Sequence, residues 1–217
     1  FQAVWRPDGT HDEARLATDV CFCCKTAVAT APDGSVYVAW RHIYPPNLRD
    51  MAGARSADGG RTFGAPVRVS EDGWAIDLCP DDGPSIVADA RGVLHIAWPT
   101  MVGEEDKGIF YSYSTDGGRT FATRQRVDGG SAPAAPPQLA LSGDRVVVLW
   151  DHGLAPPRAY LREMSSGAKA AAWKPSLGRI VNLSGDGAAV YPVAVSTPSG
   201  LVAAWTAETP AGSEVRV

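Results

Sequence analysis

Sulfur is scarce in this chain: 217 residues hold four cysteines and three methionines. Four cysteines are too few for a disulfide framework to stand in for a hydrophobic core. No uninterrupted apolar run approaches the roughly 20 residues that cross a bilayer as a helix, so no membrane span is expected. Charge of one sign is missing as well. The net charge is −4 with acidic and basic residues mixed along the chain, which offers no basic surface to nucleic acid or to an anionic membrane.

What is present is a turn-rich β composition, with 45% hydrophobic and 20% charged residues, 23 glycines and 17 prolines. A chain of this length buries a sizeable core, and all-β architectures of this size are commonly one domain. Residues 1–217 are therefore expected to form a single domain. The first residue is Phe1 rather than Met, so a leader or a larger N-terminal part is expected ahead of it.

One phrase is written twice. Ser56-Ala57-Asp58-Gly59-Gly60-Arg61-Thr62-Phe63 returns 58 residues later as Ser114-Thr115-Asp116-Gly117-Gly118-Arg119-Thr120-Phe121. A short carboxylate, two glycines free to take positive φ, and a β-branched residue leading to an aromatic describe a tight turn between strands. The phrase resembles the Asp-box, or BNR repeat, of sialidase-like β-propellers, with Ser56, Asp58, Gly60, Thr62 and Phe63 in the first copy and Ser114, Asp116, Gly118, Thr120 and Phe121 in the second as its structural residues. The resemblance implies a fold and not a chemistry, because the turn itself is structural.

A second recurrence supports it. Four aliphatic runs each end in tryptophan, at Trp40, Trp98, Trp150 and Trp205, spaced by 58, 52 and 55 residues. A period of that size indicates a repeat array. Each run follows a turn and an earlier apolar strand, and together with the repeated turn they predict four-stranded antiparallel blades. The first is expected at 25–30, 35–41, 51–57 and 67–69, and the second from Gly83 to Val127. The third is expected from Pro137 to Leu183, with a decayed box around Ser165-Ser166-Gly167 and Trp173. The fourth has inner strands at 190–206 and a third at 214–217. Arg6-Pro7-Asp8-Gly9-Thr10 sits where another such turn belongs, with Ala14–Thr18 as the strand after it. The fold class is thus an all-β propeller with about four blade repeats. Either residues 1–20 complete the fourth blade in a small ring, or further blades or a second chain complete a larger one. The resemblance favours the larger, six-bladed form.

In such a disc the loops leading into the innermost strands open on one face, and the repeated turns lie on the other. The resemblance places binding on the first face. That face receives Asp19-Val20-Cys21-Phe22-Cys23-Cys24-Lys25 and Asp77-Leu78-Cys79-Pro80-Asp81-Asp82-Gly83, hence all four cysteines, with His42 and His152 two residues past two of the repeated tryptophans. Thiolate suits Cu(I), and thiolate with imidazole also suits zinc. One reading is therefore a soft-metal site, copper before zinc, of Cys21, Cys23, Cys24 and Cys79 with His42 or His152 nearby. The other is a pair of disulfides pinning adjacent blades in an exported interaction propeller with a protein partner, the histidines being ordinary hydrogen-bonded rim residues. Either reading is compatible with a periplasmic or extracellular protein. Met51 and Met101 are expected to pack in loops, and His95 to be a core histidine.

The resemblance also raises glycoside hydrolysis. Sialidase chemistry needs an arginine cluster for the substrate carboxylate, a tyrosine nucleophile paired with a glutamate, and an acid/base aspartate. The expected innermost strands carry no arginine. Arg41, Arg49 and Arg158 could approach only from loops, with Asp81, Asp82, Asp151 or Glu104-Glu105-Asp106 as acids. Hydrolase is accordingly the alternative to a binding protein.

Overall fold

The structure, a computed structural model, describes residues 2–103, 107–130, 135–153, 155–165 and 173–217. Among them there is no helix, and hence none long and apolar enough to cross a membrane. The strands fall into antiparallel sheets in chain order. β1 (Gln2–Trp5) and β2 (His11–Ala14) form a hairpin of their own. The first blade is β3 (Ala27–Thr30), β4 (Val36–Tyr44), β5 (Leu48–Ser56) and β6 (Val67–Arg68). The second is β7 (Ser85–Ala88), β8 (Leu94–Thr100), β9 (Gly108–Ser114) and β10 (Gln125–Arg126). The third is β11 (Gln138–Ser142), β12 (Arg145–His152), β13 (Arg158–Ser165) and β14 (Ser176–Asn182). The fourth has three strands, β15 (Ala188–Thr197), β16 (Gly200–Thr209) and β17 (Gly212–Arg216).

The innermost strands β3, β7, β11 and β15 are successive neighbours, which sets the blades side by side. Buried serine and backbone groups stitch these neighbours: Leu139 N donates to Ser85 Oγ at 2.8 Å. Trp98 and Trp150 pack on the face turned toward the preceding blade. Trp98 joins Tyr37, Ala39 and Met51 between the first two blades, and Trp150 joins Val93, Ala97 and Tyr111 between the second and third. Trp40 packs on Leu16 and Ala17 from the N-terminal segment. Apolar residues on both faces of a strand are what a blade with two neighbours requires.

Both copies of the repeated turn close in the same way. Asp58 Oδ1 accepts from Arg61 N and Thr62 N at 3.0 and 2.9 Å, and Asp116 Oδ1 from Arg119 N and Thr120 N at 3.0 Å each. Ser56 Oγ and Ser114 Oγ each accept from a glycine N–H at 2.8 Å. Gly118 takes φ +81°, and a Cβ there would lie 3.2 Å from Tyr37 Cε1 of the preceding blade, so the turn needs glycine for conformation and for clearance.

The strand layout departs from expectation at particular places. The N-terminal hairpin places its second strand at His11–Ala14 rather than 14–18, because Val4 and Trp5 supply a partner strand on the other side of the Asp8-Gly9 turn. It pairs with no strand of the fourth blade among the described residues, so the small-ring closure is not formed. The fourth strand of the third blade begins at Ser176 rather than 180, across an irregularity between Arg162 and Met164. Of the expected decayed turn, Ser166 and Gly167 lie outside the described residues; Trp173 is buried, its indole donating to Tyr111 Oη at 3.2 Å. Met51 lies inside β5 and is wholly buried rather than in a loop. His95 is a core histidine, its Nδ1 2.7 Å from Tyr111 Oη. On the side of the fourth blade away from the third, Val193, Val195, Val202 and Val215 stand 40–74% exposed.

Candidate functional site

Antiparallel alternation puts the lead-in loops at the strand ends opposite the repeated turns. The first lead-in loop runs along the end of β4: Cys21 N donates to Arg41 O at 2.9 Å, and Ile43 N to Asp19 O at 2.7 Å. A tight turn follows, closed by Cys24 N on Cys21 O at 3.0 Å. The second lead-in loop presses against it at Gly83, where a Cβ would lie 2.5 Å from Lys25 O. Glycine is what permits that approach.

The contact brings the sulfurs together. Cys23 and Cys79 are disulfide-bonded, joining the first two blades across 56 residues of sequence with Cα atoms 6.0 Å apart. Cys21 and Cys24 are free, and their Sγ atoms are 3.0 Å apart. Cys21 Sγ is also 3.7 Å from Cys23 Sγ. The three cluster sulfurs lie within 4.8 Å of one another. Thus one cysteine pair follows the disulfide reading and the other the thiol reading.

Two arginines define the electrostatics. Arg49 Nη1 donates to Cys21 Sγ at 3.2 Å while its Nε and Nη2 hold Asn47 Oδ1 at 3.3 Å. Arg41 is completely buried. Its Nη1 and Nη2 reach Arg49 O at 2.7 Å and Pro99 O at 2.5 Å, its guanidinium lies 4.8 Å over the Trp74 ring, and its Nε has no partner. Burial lowers the Arg41 pKa, opposed by the nearby Cys24, Asp82 and Cys21. Burial likewise pushes the Cys24 thiol up to about 11, aided by its hydrogen bond to Cys21 and opposed by an Asp82 backbone N–H and the Arg41 charge. Asp82 is buried with its carboxyl raised by that burial, and Lys107 Nζ sits 3.0 Å away. The pocket therefore sets a buried cation beside the two free sulfurs, where burial keeps the Cys24 thiol protonated and the Arg41 charge opposes that only in part.

The histidines lie elsewhere. His42 alternates with Arg41 to the other face of β4, where its Nδ1 is 3.5 Å from Trp40 Nε1 and its ring is edge-on to Tyr44. Burial lowers its pKa. His152 belongs to the third blade, with Nε2 2.9 Å from Tyr160 Oη. Among the described residues the grouping of metal-ligating side chains is Cys21, Cys23 and Cys24, and neither imidazole joins it.

The arginines named for a carboxylate clamp do not converge either. Arg41 is enclosed, Arg49 is turned to Cys21, and Arg158 is engaged by Gly185 O and Asp186 in the third blade. Asp151 is committed to Tyr191 N at 2.7 Å. Glu104, Glu105 and Asp106 lie outside the described residues. The first strands of the four blades do border a common groove of about 410 Å³, lined by Lys25, Ser85, Gln138 and Tyr191 among others, immediately beside the cysteine turn. The roles of Arg41, Arg49 and Trp74 were not anticipated. A signal existed at Arg41: the position after the repeated tryptophan is Pro99, Asp151 and Thr206 in the other blades, so a cation there is peculiar to the blade that carries the cysteines.

No family profile matches the chain, and no curated protein matches it. Solved structures do. A protein of unknown function from Dyadobacter fermentans aligns with a TM-score of 0.59 at 20% identity, over 87% of this chain and 50% of that one. A Hadza microbial sialidase aligns at 0.53 and 16%, over 88% and 43%. The leech intramolecular trans-sialidase, solved with 2,7-anhydro-Neu5Ac, aligns at 0.54 and 14%, over 82% and 27%. At these identities the likeness is one of fold: a sialidase-like β-propeller. The chain spans half or less of the length of each.

Proposed function

We propose that this chain is part of an exported Asp-box propeller acting as a binding protein, and that its site is the Cys21/Cys24 thiol pair, taking a soft or borderline metal, Cu(I) before Zn(II). The observation that carries the reading is the pair of free sulfurs 3.0 Å apart beside Arg49 and the buried Arg41. Zinc requires about four ligands in a tetrahedron. The site offers two free thiols, one sulfur already in a disulfide, and no imidazole. Cu(I) favours soft thiolates and accepts fewer of them. A bis-thiolate complex of Cu(I) carries one negative charge, and Arg41 and Arg49 would compensate it. Binding must displace the Cys24 proton, so affinity is coupled to pH.

The inter-blade disulfide suits an oxidising compartment, periplasmic or extracellular. The exposed valine face of the fourth blade suits cover by further blades or by a second chain. Glycoside hydrolysis is the weaker reading, because its arginine clamp is not assembled among the described residues. The test is anaerobic Cu(I) titration against a chromophoric Cu(I) chelator. Cys21→Ser and Cys24→Ser should each abolish the tight equivalent. Equal binding by wild type and both variants would sink the proposal, as would an absence of free thiols in the native protein.

A further inference from the structure

We infer that the Cys23–Cys79 bridge is not a fixed staple but one form of a four-cysteine exchange unit that can move the disulfide into the first lead-in loop as Cys21–Cys24. The inference rests on the reading of Cys21 and Cys24 as the working groups of this face. Its geometry is a file of sulfurs: Cys24 Sγ is 3.0 Å from Cys21 Sγ, which is 3.7 Å from Cys23 Sγ, which is bonded to Cys79. The turn closed by Cys24 N on Cys21 O already holds the two residues at the one-turn separation a disulfide can bridge. Arg49, donating to Cys21 Sγ at 3.2 Å, stabilises the attacking thiolate.

The steps balance without an outside oxidant. Cys21, its proton lost to water, attacks Cys23 Sγ; the Cys21–Cys23 bond forms, the Cys23–Cys79 bond breaks, and Cys79 leaves as a thiolate that takes up a proton. Deprotonated Cys24 then attacks Cys21 Sγ, forming Cys21–Cys24 and releasing Cys23 as the second thiol. One disulfide and two thiols exist at every stage. The first and second blades are thereby joined or released at their lead-in loops. A metal held by Cys21 and Cys24 would lock the joined form.

Tryptic peptides report the two forms directly. Cys21, Cys23 and Cys24 share the peptide 16–25, and Cys79 lies alone in 69–91. The full chain is incubated anaerobically with and without Cu(I), quenched with acid, alkylated and digested without reduction. The expected result is a share of unlinked, alkylated 69–91 together with 16–25 carrying one alkyl group and an internal disulfide. That share should fall about tenfold or more in Cys21→Ser, which lacks the attacking thiol, whereas in Cys24→Ser any unlinked 69–91 should be matched by a 16–25 peptide with an internal Cys21–Cys23 disulfide and no alkyl group. Only linked peptides in the wild type after hours at every pH would overturn the inference. So would an unlinked share that Cys21→Ser leaves unchanged, because reduction from outside would then account for it. Exchange that ignores Cu(I) upholds the inference and removes instead the metal reading of the site.

Discussion

Asp116 offers a perturbation whose size can be reached by two routes. Its carboxylate accepts from Ser114 Oγ, Thr120 Oγ1, Arg119 N and Thr120 N at 2.7, 2.6, 3.0 and 3.0 Å. A side chain that caps free backbone N–H groups in this way is worth about 1 kcal/mol. The second route is electrostatic. Burial is the largest single influence and raises the carboxyl, but the hydrogen bonds from Thr120, Ser114 and Arg119 together outweigh it and hold Asp116 at about 2 against an ordinary 3.8. At about 1.36 kcal/mol per pH unit the difference has a ceiling of ~2.5 kcal/mol, and solvent screening of this half-buried group brings it to roughly 1 kcal/mol. Because the folded-state pKa is depressed, this stability is present above pH 3.8 and is lost as pH falls through the folded value near 2. Asp116→Ala should therefore lower stability at pH 7 by about 1 kcal/mol, a fall of about 2–4 °C in Tm for a domain of this size. Asp116→Asn should flatten the acid limb of the stability curve. The assay is urea unfolding across pH, followed by tryptophan fluorescence. A change at pH 7 inside the roughly 0.5 kcal/mol scatter of ordinary surface substitutions, with the acid limb intact, would refute the reasoning. Asp58→Ala should move stability in the same direction, since its network is the same.

Gly118→Ala should cost about 1–3 kcal/mol in urea unfolding, because the new methyl meets Tyr37 at 3.2 Å in a left-handed conformation. Gly117→Ala should cost less, since it carries the conformational strain with its nearest contact at 3.5 Å. Ser85→Ala should cost about 1–3 kcal/mol by leaving the buried Leu139 N–H without its acceptor, read as a lower midpoint with an unchanged slope. Arg49→Met should leave the fold intact and weaken Cu(I) binding by about tenfold through loss of the hydrogen bond to Cys21. His42→Ala and His152→Ala should leave Cu(I) affinity unchanged; a loss in either would show that an imidazole enters the site.

The blades were legible because their determinants are local. A strand that ends in tryptophan every 52 to 58 residues, and a turn whose carboxylate bonds its own neighbours, say where each sheet bends without reference to the rest of the chain. The N-terminal hairpin and the early start of β14 were misplaced for the complementary reason. Their strands are set by a partner strand and by a register irregularity, which pattern alone does not show. At the site, blade order put the three-cysteine cluster in the lead-in loop next to that of Cys79, but spacing could not say which two of the four sulfurs would bond. Of the two histidines, His42 lies on the face of β4 opposite Arg41, which neighbours the cysteines, and His152 lies in the third blade against Tyr160, as the rim reading expects. Arg49 was read as a candidate for a substrate carboxylate, when a third-strand position opposite the cysteine turn makes it a partner of sulfur.

The most direct test of the central claim is X-ray absorption at the copper edge on the full chain loaded with one equivalent of Cu(I). The expected result is a low-coordinate Cu(I) centre with sulfur neighbours only, lost in the Cys21→Ser and Cys24→Ser proteins. Nitrogen or oxygen neighbours in place of sulfur, or copper that washes from the wild type as readily as from the variants, would contradict it.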